Sequence, residues 1–161
     1  MIRPATETDA AAIAAIYNHY IEHTIVTFEE EIVNAAEMAG RIRDTLDAGL
    51  PWIVATENDH VVGYGYLSKW KSRCSYRYSV EASVYLDQAA TRRGYGSRIY
   101  QSLINSAKAL KMHAVIGGVS LPNPGSQRLH EKLGFEKIAH FREVGYKFDQ
   151  WIDVGYWEKI L

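Results

Sequence analysis

Apolar positions along the chain recur with two periods, and the change of period divides it into elements. In "TETDAAAIAAIYNHYI", Ile13, Ile16, Tyr17 and Tyr20 fall at helical spacing, and Thr6 or Thr8 can cap that helix. In "NAAEMAGRIRDTLDAG", Met38, Ile42 and Leu46 share a second helical face; Asn34 and Glu37 make a capping-box pair and Gly49 ends the element. Between them "HTIVTFEEEIV" keeps neither period and reads as a loop, while residues 1 to 3 read as a short strand stopped by Pro4. From residue 52 the period shortens. "WIVATE" and "HVVGYGYLSKW" are strands joined through Asn58 and Asp59. "YSVEASVYLD" alternates cleanly: Glu81, Ser83 and Tyr85 take one face, and Val80, Ala82, Val84 and Leu86 the other. A helix follows Gly94 with Ile99, Leu103, Ala107 and Leu110 inward, and "HAVIGGV" is a strand. "NPGSQRLHEKLG" is a helix capped by Asn123, with Pro124 in its first turn and Gly134 at its end. "FEKIAHFREVG" and "YKFDQWIDVGYWEKIL" close the chain as strands.

The resulting order, β-α-α-β-β-β-α-β-α-β-β, predicts an α/β fold with a mixed sheet. The 161 residues contain no linker-like segment, so a single domain over 1–161 is expected. A net charge of −1 supplies no global field for nucleic acid or membrane, and any anion must be held by local charge. Cys74 is the only cysteine, which excludes an internal disulfide and suits a reducing cytoplasm. The apolar runs are too short to span a bilayer, and "MIRPATETDA" has no apolar signal region.

Local charge is concentrated at "TRRGYGSRIYQSL". Gly94 and Gly96 let successive N–H groups turn toward one point, the following helix adds its positive end, and Arg92 and Arg93 add bidentate donors. These features suit a pyrophosphate; a plain turn with solvated arginines is the alternative. Ile99 stands where a dinucleotide fingerprint needs its third glycine, and no G-x-x-x-x-G-K-[ST] pattern exists, so dinucleotides and nucleoside triphosphates are disfavoured.

A strand bearing an acid, followed by x-x-x-G-x-G at a helix start, resembles the acetyl-CoA site of the GNAT superfamily of N-acetyltransferases. "WKSRCSYRYSVEASVYL", "NPGSQRLHEKLGF" and "GYKFDQWIDVGYW" are similar to segments of the phosphinothricin (bialaphos-resistance) and methionine sulfoximine acetyltransferases. The resemblance covers nearly the whole chain. It implies that the backbone of Val84, Tyr85 and Leu86 pairs with the pantetheine arm. It also places the pyrophosphate on Arg92, Arg93, Gly94, Tyr95, Gly96 and Ser97, and the far side of the arm on Asn123 and Ser126. Thr91 departs from the family pattern, which has Gln or Arg there; this shifts the pyrophosphate onto the two arginines and the backbone.

A carboxylate within "SVEASV" is expensive to bury, and burial raises its pKa toward the range of a general base for an ammonium substrate. Glu81 is therefore the candidate base; a salt bridge to Arg73 or Arg77 is the alternative. The resemblance brings His130 near the thioester, to protonate the leaving thiolate or relay a proton, whereas an isolated histidine on this helix reads as a polar surface residue. In "WKSRCSYRY", Lys71, Arg73 and Tyr76 suit the carboxylate and oxyanions of an amino acid analogue, and the resemblance adds Phe28 to the same pocket. His19 and His23 lack a third ligand, so no metal is expected. The expected activity is transfer from acetyl-CoA to the α-amino group of phosphinothricin, methionine sulfoximine or methionine sulfone. Another amine (polyamine, aminoglycoside or protein N-terminus) or a non-catalytic CoA-binding sensor remains the alternative. The resemblance further implies a cytoplasmic homodimer.

Overall fold

The computed structural model describes residues 1–161. Seven strands and four α-helices follow in the expected order. They are β1 (Ile2–Pro4), α1 (Ala10–His23), α2 (Ala35–Asp47), β2 (Trp52–Glu57), β3 (His60–Lys69), β4 (Ser79–Leu86), α3 (Tyr95–Ala109), β5 (Ala114–Leu121), α4 (Pro124–Lys132), β6 (Glu136–Lys147) and β7 (Gln150–Ile160). The strands form one sheet in the order β1-β2-β3-β4-β5-β7-β6. Only β4 and β5 are parallel, and α3 makes the crossover that a parallel pair needs.

Two-residue alternation sorts the core into two layers. Trp52 and Val54 pack with α1 and α2 on one face of the sheet, while Ile53 and Ala55 pack with α3 on the other. The capping box of α2 forms as expected: the Glu37 N–H donates to Asn34 Oδ1 and the Asn34 N–H to Glu37 Oε2, both at 2.9 Å. Thr6 heads a short 3-10 turn over Glu7–Asp9 before α1 begins. Arg3 grips the buried Asp9 carboxylate at 2.8 and 2.7 Å and holds its pKa down to about 2.

Two local expectations are corrected. Leu110 is not inward; it is 41% exposed, because the helix stops at this residue and the chain turns to pack the half-buried Met112 against the core instead. The last two strands do not divide after Gly145. Tyr146 and Lys147 belong to β6, and the hairpin turns at Phe148 and Asp149, whose φ values of 52° and 57° are those of a two-residue loop.

One irregularity positions the site. β4 and β5 share three residue pairs only, from Ser79–Ala114 to Glu81–Ile116. Beyond them β4 stays with β3 through Leu86, and β5 stays with β7 through Leu121. The facing edges of β4 and β5 therefore separate, and the sheet opens.

Candidate active site

The opened edge of β4 belongs to its even-numbered residues. The Asp87 N–H turns back to β3, donating to the Val62 carbonyl. The Leu86 groups turn the other way: its carbonyl accepts from the Tyr20 hydroxyl at 2.8 Å, and its N–H donates to the same oxygen at 3.3 Å. By alternation Val84 presents its backbone on this edge as well, whereas Tyr85, expected to do so too, turns its backbone toward β3.

A cleft runs from that edge to the N-terminus of α3. Val84, Leu86, Arg92, Gly94, Gly96 and Ser97 line one side; Asn123, Ser126 and Arg128 line the other. Gly94 caps α3 with φ 82°, Arg92 just before it is also left-handed at φ 60°, and the first N–H groups of α3 have no carbonyl within the helix to meet. Asn123 caps α4 by accepting from the Ser126 N–H at 3.1 Å. Two expected residues point elsewhere. The Arg93 guanidinium and the Tyr95 hydroxyl both hydrogen-bond Glu57 on β2, and the Tyr95 ring is buried in the core. Thr91 lines the cleft, but its hydroxyl donates to the Gln88 carbonyl at 2.9 Å. Arg128 and Tyr20 were missed in the sequence. Arg128 follows the Asn123 cap on the same short helix, which is a readable signal; Tyr20 carries none, because its role depends on the packing of α1 against β4.

Two further cavities continue from this cleft and share walls. The first holds Tyr100, Asn123, Ser126 and His130; the second holds Phe28, Glu81, Val144, Val154 and Tyr156. Val26, Ser83, Tyr85, Gly118 and Ser120 line both. Glu81 is half-buried and forms no ion pair with Arg73, Arg77 or any other group. Burial raises its pKa, and the nearby Lys71 ammonium opposes that rise. The carboxylate passes close to Gly118: a Cβ there would lie 3.3 Å from Glu81 Oε1, a tight contact that glycine avoids.

His130 is not a surface histidine; it is 4% exposed. A carbonyl can only accept, so the 2.8 Å contact between Nδ1 and the Ser126 carbonyl puts the ring proton on Nδ1. Nε2 is then the acceptor for the Tyr100 hydroxyl at 2.9 Å. Burial lowers the His130 pKa and raises that of Tyr100, so both are neutral near pH 7. A Cβ at Gly117 would strike the His130 ring, and one at the next residue, Gly118, would meet Glu81. Adjacent strand residues face opposite ways, so Glu81 and His130 lie on opposite faces of β5 and are joined only through the split.

The wall beside Glu81 comes from the irregular segment before α2. Lys147 is 2% exposed and its ammonium donates to the Thr24 and Thr27 carbonyls at 2.9 and 2.8 Å, which holds that segment against β6. Phe28 packs over Gly145. Lys71, Arg73 and Tyr76 lie on the exposed loop between β3 and β4 and line none of these three cavities. The His19 and His23 rings lie 5.0 Å apart on α1, tilted at 56°, and no cluster of three potential ligands exists. No helix is long and apolar enough to cross a membrane.

This split sheet and glycine-headed helix place the chain among known proteins. Residues 2–155 match the acetyltransferase (GNAT) domain, and the chain belongs to that family. It is similar to the phosphinothricin N-acetyltransferase of Streptomyces viridochromogenes, with 39% identity over 98% of this chain and 86% of that protein. It is 35% identical to the L-methionine sulfoximine/L-methionine sulfone acetyltransferase of Salmonella typhimurium, over 96% of this chain and 91% of that one. A phosphinothricin acetyltransferase of Sinorhizobium meliloti, solved in complex with acetyl-CoA, superposes with a TM-score of 0.97 at 31% identity, covering 100% of this chain and 88% of that one. The protein is thus a GNAT N-acetyltransferase of the phosphinothricin acetyltransferase type.

Proposed function

We propose that the protein transfers the acetyl group of acetyl-CoA to the α-amino group of a small amino acid analogue: phosphinothricin, methionine sulfoximine or methionine sulfone. The observation that carries this reading is Glu81. It is a carboxylate without a partner, with its pKa raised by burial, across the split from a cleft suited to a pyrophosphate. The relatives' substrates and the cofactor bound to the Sinorhizobium protein support the same pairing.

Acetyl-CoA lies with its pyrophosphate on the α3 N-terminus, helped by Arg92 and Arg128, and its arm along the free edge of β4 between Val84 and the Asn123 side. The α-ammonium enters on the Glu81 side. Glu81 takes one proton, directly or through water, and the amine attacks the thioester carbon. A backbone N–H of β4 polarises the carbonyl as the negative charge grows. The N–C bond forms and the C–S bond breaks. The nitrogen loses its second proton while the thiolate gains one, so one proton is released overall. His130 and Tyr100, neutral and hydrogen-bonded to each other on the cofactor side, relay the proton to sulfur. Phe28 walls the acceptor, and Lys71, whose charge acts on Glu81, supplies a cation for the acceptor's carboxylate, while Arg73 and Tyr76 stay outside the cavity. Ile138, Phe141, Val144, Tyr146 and Trp151 leave an apolar surface on the β6–β7 hairpin that suits a homodimer.

Free thiol released from acetyl-CoA is the direct assay, run over amino acid analogues, polyamines, aminoglycosides and peptide N-termini. Preference for the analogues by at least about tenfold in kcat/KM supports the reading; preference for another class replaces the substrate, and release with none makes the protein a CoA-binding sensor.

A further inference from the structure

Ser120 is buried, 6% exposed, and its Oγ has no hydrogen-bond partner in the fold. An unmade bond at a buried hydroxyl destabilises the folded chain. Ser120 also lines both the His130 cavity and the Glu81 cavity. Two more buried polar atoms lack partners, the indole nitrogens of Trp52 and Trp157, but neither residue lines these two cavities.

Register settles which way Ser120 faces. Gly118 pairs with Tyr156 and Ser120 with Val154, and both partners line the Glu81 cavity. Ser120 therefore shares the face on which Glu81 approaches Gly118. Two residues along a strand span about 7 Å, so Ser120 stands one side-chain position along the same cavity wall from the point where the Glu81 carboxylate meets the strand.

We propose that Ser120 Oγ accepts a hydrogen bond from the reacting amine, opposite Glu81. The proposal rests on the acetyltransfer reading above. Glu81 removes one proton from the ammonium; Ser120 holds one of the two that remain and so directs the freed lone pair toward the thioester. Ser120 exchanges no proton and forms no covalent bond. The hydroxyl left unpaired by the fold is satisfied by the acceptor, which selects for an amine that keeps a hydrogen to donate after deprotonation.

The test is Ser120→Ala, measured as thiol release with each substrate varied in turn and as thermal unfolding without ligands. Loss of a single hydrogen bond predicts about a five- to tenfold fall in kcat/KM for the amine. The KM for acetyl-CoA should stay within about twofold and the Tm should equal or exceed that of the wild type, since no intramolecular partner is lost. Unchanged kcat/KM for the amine overturns the proposal. So does a lower Tm, which would mean that the hydroxyl is already bonded within the fold. Absence of thiol release by the wild type with every amine would overturn the acetyltransfer reading itself, and this proposal with it.

Discussion

The two halves of the site are built in different ways. The proposed cofactor half comes largely from two short stretches, 84–97 and 123–128, each a strand or turn leading into a helix. Its binding groups are mostly backbone: a free strand edge, a left-handed Gly94 and a helix N-terminus. The acceptor half is assembled from 26–28, 81–85, 118–120 and 144–156, and its groups are side chains whose behaviour depends on burial. A cradle of backbone tolerates side-chain change, while a pocket of buried side chains is sensitive to single atoms.

Glu81→Gln should widen that contrast most. Loss of a general base predicts a fall in kcat of about 10²–10⁴ at neutral pH with acetyl-CoA affinity little altered, read by turnover and by calorimetric binding. For the wild type, kcat/KM for the amine should decline as pH falls through a Glu81 pKa above the ordinary carboxylate value. The same shift has a stability consequence. A pKa raised in the folded state means that the folded chain binds the proton more tightly, so wild-type stability declines as pH rises from the unfolded pKa through the raised one. Glu81→Gln should therefore melt above the wild type at pH 8, with the gap closing toward pH 4. Equal melting at pH 8 would show that burial of this carboxylate does not strain the fold.

Gly117→Ala tests the junction between the halves. Its Cβ would overlap the His130 ring, and overpacking predicts a loss of about 1–3 kcal/mol in chemical denaturation. Lys147→Met removes two hydrogen bonds to the Thr24–Thr27 segment. At about 1 kcal/mol each, it should raise the amine KM by up to about thirtyfold while altering acetyl-CoA KM less; equal changes in both would make the lysine a general stabiliser.

The smallest effect falls in the cofactor half. Because Arg93 is engaged by Glu57, Arg93→Ala should change acetyl-CoA affinity less than Arg92→Ala does, and the ion pair it loses is exposed and screened by solvent. If Arg93 matters as much as Arg92, its side chain leaves Glu57 when the cofactor binds.

Legibility in the sequence follows the same division. The element order, the Asn34–Glu37 box, the Asn58–Asp59 hairpin and the Asn123 cap were readable, since each depends on a few consecutive residues. Arg92 and Arg93 look equivalent in the sequence, yet only Arg92 faces the cleft, because β2 brings Glu57 to the other. On its helix alone His130 reads as a surface residue, and only the resemblance brings it to the site; Tyr100, Phe135 and Trp157 close around it in the fold. Leu110 kept the helical period and still ended outside, because a period does not say where a helix stops.

Sequence by itself determined the order of strands and helices, the glycine-headed start of α3 and the identity of the acid on the third long strand. These rest on periodicity and on backbone freedom confined to neighbouring residues. Tertiary structure alone decided the split between β4 and β5, the placing of Glu81 and His130 on opposite faces of it, the tautomer of His130 and the unpartnered Ser120. Burial and hydrogen-bond satisfaction are properties of groups brought together from distant parts of the chain, and no local pattern records them.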